Sequence, residues 1–432
     1  MKTKHFICLA ISLSMMLCTT ACRKNADVLS SNTSNVSSLS ELYGDVEFVE
    51  SNNSGNTATS SVSDTTSKNN TSSKNDTSSV SSNTSSSSQV TNDKNVLAML
   101  YGFSSIEKVD YYCAKNFPEN DAIYIVTDII TDADTNICDA TTQILCDDKS
   151  IKIEQKIITV PYSYIEKHKS VKLTAYHAGT EAKYDFDLNF EDKWDVIFED
   201  NFDGTTINTD IWNIWDSADW QYFYSPDSLF LDGKGNLINR VSILETADSK
   251  YGYVRQSGAM TTKDKYTSTY GYYEVRLKPH LTYGMWSAFW LMAGDMDNKD
   301  AANDGTATNG CEIDVIESIY KTKIPSHAIH WDGYTNTKSL NTSSSLTAKP
   351  EVFDGNFHTF AVRWSEQGYA FLVDGTITYT TTEVDCCNQP AYLLISSHFG
   401  EVWAGDVTLK AGEYSDTVVD YVKVYQSPKD PK

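Results

Sequence analysis

The sequence predicts an all-β protein with two folded parts, and three observations support this prediction. The 432 residues are more than one small domain needs. From about residue 93 onwards, short apolar runs with a period of two alternate with Gly and Asp turns, and helical periodicity is scarce. Aromatic residues make up 12% of the chain, including 26 tyrosines, and they suit a pleated, half-buried surface. We therefore expect two β-sandwiches in succession.

Residues 1–22 have the features of an export signal. Two early lysines, Lys2 and Lys4, precede an apolar run at residues 6–17, which is too short to cross a bilayer as a mature helix. The run ends in Thr20-Ala21-Cys22, typical of a bacterial lipoprotein site whose cysteine is acylated. We expect a secreted, cell-surface lipoprotein anchored to the membrane through Cys22; cleavage nearby without lipidation is the alternative.

Residues 23–92 consist largely of Ser, Thr and Asn. Such a segment buries too little apolar area to offset its chain entropy, so we expect it to be disordered. Behind a lipidated cysteine it would act as a tether.

Residues 93–192 are expected to form a small immunoglobulin-like β-sandwich. Tyr184, Phe186 and Leu188 alternate with polar residues, which gives one apolar and one solvated face. This part is either a spacer or a carbohydrate-binding module, and no pattern marks a binding face. The spacer is favoured.

Residues 193–428 are expected to form one large two-sheet sandwich. Asp232-Gly233, Asp354-Gly355 and Asp374-Gly375 are turn signals between β-prone runs. Residues 418–425 form a final, strongly β-prone run.

The net charge and the spacing of the cysteines argue against two kinds of ligand, nucleic acid and zinc. A net charge of −23 repels phosphate backbones, so nucleic acid is not expected as a partner. The nine cysteines include no C-x-x-C pair, and no zinc site is expected.

The chemistry is concentrated in residues 312–317, Glu-Ile-Asp-Val-Ile-Glu. In a regular strand Glu312 and Asp314 share one face, and strict alternation would then bury Glu317. One extra residue, a β-bulge, returns Glu317 to the acidic face and leaves Val315 and Ile316 inside. The sequence therefore predicts a bulge within this strand.

Three carboxylates on one strand face repel one another and lose hydration, so function is the best reason for keeping them. Retaining glycoside hydrolysis needs two carboxyl groups about 5–5.5 Å apart, which inward-leaning side chains would allow. The alternative is an acidic strand that merely faces solvent.

Neighbouring segments favour the functional interpretation. Trp286 and Trp290 lie on one face of a predicted strand, where they either line a sugar groove or pack in the core. His330, on the strand after the acids, either bonds a sugar hydroxyl or a catalytic carboxylate, or is only structurally satisfied.

At this point the chain resembles glycoside hydrolase family 16, in its bulged laminarinase and lichenase branch. The resemblance covers roughly residues 196–426. It rests on the Glu-x-Asp-x-x-Glu run and on five further segments, at residues 198–204, 270–276, 284–291, 357–364 and 371–375, together with the closing run at 419–425.

The resemblance implies a concanavalin-like jelly roll with Glu312 as nucleophile, Asp314 as its assistant and Glu317 as general acid/base. It implies that Trp286 and Trp290 bind substrate on the non-reducing side of the cut, with Trp403 a weaker candidate for the other side.

Some positions depart from the family pattern. Ser287 stands where many relatives have proline, Tyr272 replaces a common arginine, and residues 397–400, Ser-His-Phe-Gly, replace a run of small residues. The family needs no cofactor, but members often carry a structural calcium ion (Ca2+), for which Asp420 would be a ligand. Asn201 stands where another ligand is often acidic.

These features favour a monomeric endo-acting β-glycosidase that hydrolyses an extracellular polysaccharide with retention of configuration. The default substrate is β-1,3-glucan or mixed β-1,3-1,4-glucan. The alternatives are an endo-β-galactanase or galactosidase of the same fold and a non-catalytic carbohydrate-binding surface protein.

Overall fold

The computed structural model describes residues 100–219, 221–294, 296, 305–333, 341–346, 351–382 and 385–431. The predicted signal, the acylation site Cys22 and the tether at 23–92 lie outside the described residues. Within them the chain forms 25 strands, with two α-helices and one 3-10 helix of three or four residues each. The predicted all-β class is confirmed.

The first seven strands form two small sheets, in the orders β1-β2-β5-β4 and β3-β6-β7. If β1 to β7 are lettered A to G in chain order, these orders are ABED and CFG, which are the two sheets of a constant-type immunoglobulin sandwich. The alternation of apolar and polar residues predicted a sandwich of this kind. The helix α1, Tyr162–Ile165, joins β5 to β6. The strands are β1 Ile106–Lys115, β2 Ala122–Thr131, β3 Thr142–Leu145, β4 Lys152–Glu154, β5 Ile157–Val160, β6 Ser170–His177 and β7 Ala182–Asn189.

The remaining strands form a sheet of eleven and a sheet of seven. They are β8 Asp195–Asp200, β9 Asn213–Ile214, β10 Ser217–Ala218, β11 Phe223–Tyr224, β12 Leu229–Leu231, β13 Leu237–Ile243, β14 Arg255–Ser257, β15 Ala259–Thr261, β16 Gly271–Lys278, β17 Met285–Gly294, β18 Gly310–Ile319, β19 Ile324–Trp331, β20 Asn341–Leu346, β21 His358–Ser365, β22 Gly368–Val373, β23 Thr376–Thr381, β24 Ala391–Phe399 and β25 Tyr414–Gln426. A 3-10 helix, Pro226–Ser228, precedes β12, and the helix α2, Glu401–Ala404, follows β24.

The seven-stranded sheet runs β20-β19-β18-β17-β24-β15-β9. The eleven-stranded sheet follows the path β10-β11-β14-β13-β25-β16-β21-β22-β23, with β12 added at β13 and β8 at β25. Most neighbouring strands are antiparallel and distant in sequence, so the sandwich depends on long-range pairing. The β22–β23 hairpin turns at Asp374 (φ 48°) and Gly375 (φ 73°), which are the two positive φ angles of a type I′ turn.

The main core lies between these two large sheets. Ile313, Val315 and Ile316 of β18 enter it from one side, and Tyr273 and Val275 of β16 from the other. All five are fully buried.

A second core joins the small sandwich to the outer face of the eleven-stranded sheet. Tyr272 of β16 and Leu372 of β22 belong to the same buried cluster as the apolar residues of the small sandwich. Phe117, which follows β1, stacks on Tyr425 with ring centroids 3.9 Å apart and an interplanar angle of 15°. The small sandwich therefore packs on part of the large sandwich.

The carboxylate that the resemblance implies as a calcium ligand, and a second one near the start of the domain, each contact a cationic side chain. The carboxylate of Asp420 accepts a hydrogen bond from the guanidinium of Arg276, and Glu199 pairs with Lys423 at 2.7 Å. A cation therefore already neutralises each carboxylate, whereas calcium needs several oxygen ligands free to turn toward it.

In the part of the chain described above, no helix is both long enough and apolar enough to cross a membrane.

Candidate active site

The central feature of the site is a bulge in β18. Asp314 pairs with Ala328 of β19, but Glu317 pairs with Ser326, so Val315 and Ile316 together face His327 alone. The same irregularity separates Phe289 from Trp290 in the pairing with β17. The bulge that the sequence predicted is therefore present.

The bulge sets which face each acid occupies. Ile313, Val315 and Ile316 lie in the main core, so Glu312, Asp314 and Glu317 project from the opposite face of the sheet. We call this the groove face; it also carries Trp286 and Trp290, which belong to an apolar cluster separate from the core.

The three acids are crowded and almost fully buried, with exposed fractions of 3%, 4% and 8% for Glu312, Asp314 and Glu317. Burial, followed by the negative charges of Asp314 and Glu312, raises the pKa of Glu317 well above its ordinary value. Burial disfavours a charged carboxylate, and neighbouring like charges disfavour it further. Glu317 therefore keeps its proton to a higher pH than an ordinary glutamate does, which suits the role of a general acid.

His330 is directly opposite Glu312 in the ladder, and its Nε2 lies 3.1 Å from Oδ2 of Asp314. Burial alone would lower the pKa of His330, but the hydrogen bond and charge of Asp314 and the charge of Glu312 raise it. Of the two roles expected for His330, the structure shows the contact with a carboxylate. A protonated His330 offsets part of the negative charge of the cluster.

The predicted aromatic residues adjoin these acids. Trp290 donates its indole N–H to Ser396 Oγ at 2.9 Å, while the buried indole N–H of Trp286 forms no hydrogen bond of regular geometry among the described residues but interacts with the Glu317 carboxyl, which opposes the rise in the pKa of Glu317. Trp403, in α2, packs edge-on against Trp286 with centroids 5.0 Å apart. Trp403 and Trp286 are thus direct neighbours, and their assignment to the two sides of the cut stays a prediction.

A hydrogen-bonded network that local patterns did not reveal lies behind the tryptophans. His398 of β24 stacks under Trp286 at 4.9 Å and 19°, and its Nε2 lies 2.7 Å from Ser396 Oγ. Its Nδ1 lies 3.1 Å from the hydroxyl of Tyr222 and 3.0 Å from that of Tyr224. Burial lowers the pKa of His398 to about 4, so the ring is neutral and links both tryptophans to a tyrosine pair.

Two departures from the family pattern meet inside the sandwich. Ser287, where many relatives have proline, contacts Thr417 Oγ1 through its hydroxyl and exchanges hydrogen bonds with Ser318. His280 lies between Ser397 Oγ and Ser415 Oγ, each at 3.1 Å. The polar groups of this part of the core therefore satisfy one another, as buried polar groups must.

The ligand atoms of Glu312, Asp314 and His330 lie within 4.8 Å of one another. This spacing would also suit a divalent cation. The ion pair between Asp314 and His330 already balances part of the charge, and we assign no metal to the site.

Comparison with known proteins assigns a family to one domain of the chain. Residues 228–423 match the family model described as glycosyl hydrolases family 16. These residues form a family 16 domain. The match includes β17, β18, β19 and β24, the strands that carry the acids, Trp286, Trp290, His330 and His398.

Relatives with known names agree with this family. The chain is 27% identical over 265 residues to glucan endo-1,3-beta-glucosidase A1 of Niallia circulans, covering 54% of this chain and 38% of the relative. It is 28% identical over 282 residues to keratan-sulfate endo-1,4-beta-galactosidase of Sphingobacterium multivorum, covering 62% and 61%. It is 23% identical over 254 residues to a beta-glucanase of Rhodothermus marinus, covering 54% and 85%. The chain thus spans less than two thirds of the length of the first two.

Among solved structures, the catalytic domain of an endo-1,3-beta-glucanase (laminarinase) of Thermotoga petrophila is similar at 21% identity. The match has a TM-score of 0.47 and covers 56% of this chain and all of that one.

Proposed function

We propose that this protein is an endo-acting β-glycosidase that hydrolyses a polysaccharide with retention of configuration. The observation that carries the proposal is the bulged strand β18, which places three buried acids on one face. Burial and the charges of Asp314 and Glu312 raise the pKa of Glu317 there. Binding a neutral sugar would not require three neighbouring carboxylates, whose negative charges repel one another.

In the proposed mechanism, Glu312 attacks the anomeric carbon and forms a covalent glycosyl ester, while Glu317 donates its proton to the departing glycosidic oxygen. Glu317, now a carboxylate, then takes a proton from water as the water displaces Glu312 from the anomeric carbon. Asp314, bonded to His330, lies between the two glutamates and helps to hold their protonation states apart. No step requires a metal or a cofactor.

The proposed substrate is a β-1,3-glucan, following the name of the Niallia circulans relative, or a mixed β-1,3-1,4-glucan, the other default substrate expected from the sequence. A galactose-containing glycan is the second candidate, because the keratan-sulfate endo-1,4-beta-galactosidase matches over 62% of this chain, more than either glucanase does. Release of reducing ends from a panel of both kinds of glycan, with and without a chelator, distinguishes the candidates. Loss of activity on chelation would point to a metal at Glu312, Asp314 and His330.

Glu312→Gln tests the nucleophile. It keeps the size and polarity of the side chain but removes the attacking carboxylate, so turnover should fall by at least about 10³-fold while glycan binding persists. Initial rates and isothermal titration with an oligosaccharide measure both effects. A matched control is Glu274→Gln, another buried glutamate (8% exposed) that lies on the other large sheet. A Glu312 variant with near wild-type rate would refute the assignment.

We also propose that the chain is exported and anchored at Cys22, acting as a monomer on polysaccharide near the cell surface. The support is the order of a basic start, an apolar run, Thr20-Ala21-Cys22 and a Ser/Thr/Asn-rich segment. Cells expressing the protein should incorporate labelled palmitate into it and retain it in the membrane fraction. Cys22→Ser should lose the label and move the protein to the soluble or secreted fraction, whereas Cys18→Ser should behave as wild type. An unlabelled wild-type protein would rule out lipidation.

A further inference from the structure

His327 lies directly across from the bulge of β18. It is the single β19 residue that faces both Val315 and Ile316. Its neighbours Ser326 and Ala328 pair with Glu317 and Asp314. Because side chains alternate along a strand, His327 points in the opposite direction to the acids, into the core beside Phe371.

The imidazole is fully buried and bonded at both nitrogens. Nδ1 lies 2.7 Å from the carbonyl oxygen of Val315, and Nε2 lies 3.0 Å from Oγ1 of Thr378 in β23. A carbonyl oxygen can only accept, so Nδ1 carries the proton and donates it to Val315. Burial lowers the pKa of His327 to about 4, so Nε2 is unprotonated at neutral pH. The Thr378 hydroxyl lies 3.0 Å from Nε2 and 3.2 Å from the carbonyl oxygen of Phe371, and its one proton serves these two acceptors.

This arrangement solves a problem that a bulge creates. The extra residue of a bulge interrupts the ladder, so its backbone groups lack their regular partners. Val315 is fully buried, and an unpaired carbonyl at that depth is unfavourable. His327 supplies the missing donor from a side chain, and Thr378 and the ring of Phe371 (centroids 5.0 Å apart, 26°) hold that donor in place from the opposite sheet.

We propose that His327 is a positioning residue that fixes the bulge of β18 and thereby keeps Glu317 on the groove face with Glu312 and Asp314. The inference rests on the proposed function for the catalytic role of Glu317, whereas the placement of Glu317 is a structural statement. Without the donor, β18 is free to relax toward a regular register, and a shift of one residue turns a side chain to the other face.

Three variants test the inference in the full-length protein. His327→Phe keeps an aromatic ring beside Phe371 but removes the donor. His327→Asn keeps an N–H at about the same distance from the backbone. Ile329→Val is the matched control, because Ile329 lies two residues along on the same inward face of β19 and has no polar contact.

His327→Phe should lower kcat on the preferred glycan by roughly 10- to 100-fold, as expected for misplacement of a catalytic group, with little change in KM. The alkaline limb of its kcat–pH profile should move from its wild-type position, since burial and the charges of Asp314 and Glu312 set the pKa of Glu317 and both change when Glu317 moves. His327→Asn should recover most of kcat and of the profile, and Ile329→Val should retain both.

A folded His327→Phe variant with wild-type kcat and pH profile would overturn the inference. If that variant does not fold, Thr378→Val takes its place: it releases the outer end of the ring and should give a smaller change of the same kind, and an unchanged pH profile would again count against us. A crystal structure of His327→Phe or His327→Asn separates this inference from the proposed function. If wild type cleaves no glycan, the proposed function fails, while the position of the Glu317 carboxyl in that structure still decides the role of His327.

Discussion

At the scale of single residues, the site depends on the unfavourable placement of Glu317. This side chain is 8% exposed, and burial and two neighbouring acids raise its pKa. An ordinary surface glutamate would be ionised at neutral pH and unable to donate a proton. The same contacts that prepare Glu317 for catalysis therefore reduce the stability of the fold when it ionises.

This cost leads to a prediction about stability. The folded pKa of Glu317 lies above its ordinary value of 4.5, so the folded protein binds more protons than the unfolded chain between these two values. The contribution of Glu317 to stability is then full below pH 4.5 and is lost as the pH rises through the folded pKa. Glu317→Gln removes this penalty and should stabilise the protein at pH 8 by on the order of 1–3 kcal/mol, with little effect at pH 5.

Calorimetry at the two pH values measures the difference in Tm. Glu154→Gln, at an exposed position of β4, is the control and should show no such dependence. An equal or lower Tm for Glu317→Gln at pH 8 would mean that the carboxyl is ionised without strain.

At the scale of elements, strand β18 was the most predictable part of the site. Its six residues alternate acidic and apolar until Ile316 breaks the pattern, and only an inserted residue reconciles Ile316 with Glu317. The local pattern therefore predicted the bulge and the face of each acid. Similar patterns predicted the strands that carry Trp286, Trp290 and His330.

The supports of β18 could not be predicted in the same way. His398 meets Tyr222 across 176 positions of sequence, and His327 meets Thr378 across 51. Periodicity indicates which face of a strand a residue occupies but not which distant side chain it contacts. The sequence therefore did not predict the partners of these two histidines. The hydrogen bond from Arg276 to Asp420 also joins residues that are distant in sequence, so periodicity could not predict it either.

The geometry of β18 also predicts the stereochemistry. Both glutamates project from one bulged strand with Asp314 between them, an arrangement suited to direct attack by Glu312 without an intervening water. Two successive inversions give net retention, so a β-linked glycan should first release β-anomers. Proton NMR in the first minutes, before mutarotation, distinguishes the anomers. An initial excess of the α-anomer would contradict the assignment of Glu312 as nucleophile.

At the scale of the whole molecule, the groove and the small sandwich lie on different sheets. The acids are on the seven-stranded sheet, whereas the small sandwich packs on Tyr272 and Leu372 of the eleven-stranded sheet. Composition and alternation predicted that a small sandwich exists, and its strand order agrees. They did not reveal its contact with the larger sandwich, because a residue such as Tyr272 looks the same in a sequence whether solvent or another sandwich covers it.

Polar contacts reinforce this junction. Arg363 forms a bidentate pair with Asp430, at 2.7 and 2.5 Å, and its guanidinium lies 4.7 Å from the ring of Trp194. Glu191, at the end of the small sandwich, accepts from Ser427 Oγ at 3.0 Å and pairs with Lys429 at 3.0 Å. The segment that links the sandwiches is thus fixed to the C-terminal segment, which favours a rigid cover over a mobile spacer.

A chain that begins at Glu191 tests this view. Removal of the small sandwich would expose Tyr272, Leu372 and Tyr425, and each large apolar side chain that loses its cover costs about 1.5–3 kcal/mol. We expect this shorter chain to unfold at a temperature lower by at least about 5 °C and to associate through the exposed face.

The kcat of the shorter chain at 20 °C should stay within about twofold of wild type, because the groove lies on the other sheet. A chain beginning at residue 93 lacks the expected signal and tether but keeps the small sandwich, and it should match the full protein in both respects. Tyr272→Ser with Leu372→Thr in the shorter chain should restore a monomer without restoring Tm. These changes make the exposed face polar, but they do not replace the packing that was lost with the small sandwich. Calorimetry and light scattering would show both effects. A soluble, monomeric chain from Glu191 with an unchanged Tm would instead mean that the small sandwich contributes no stability and serves only as a spacer.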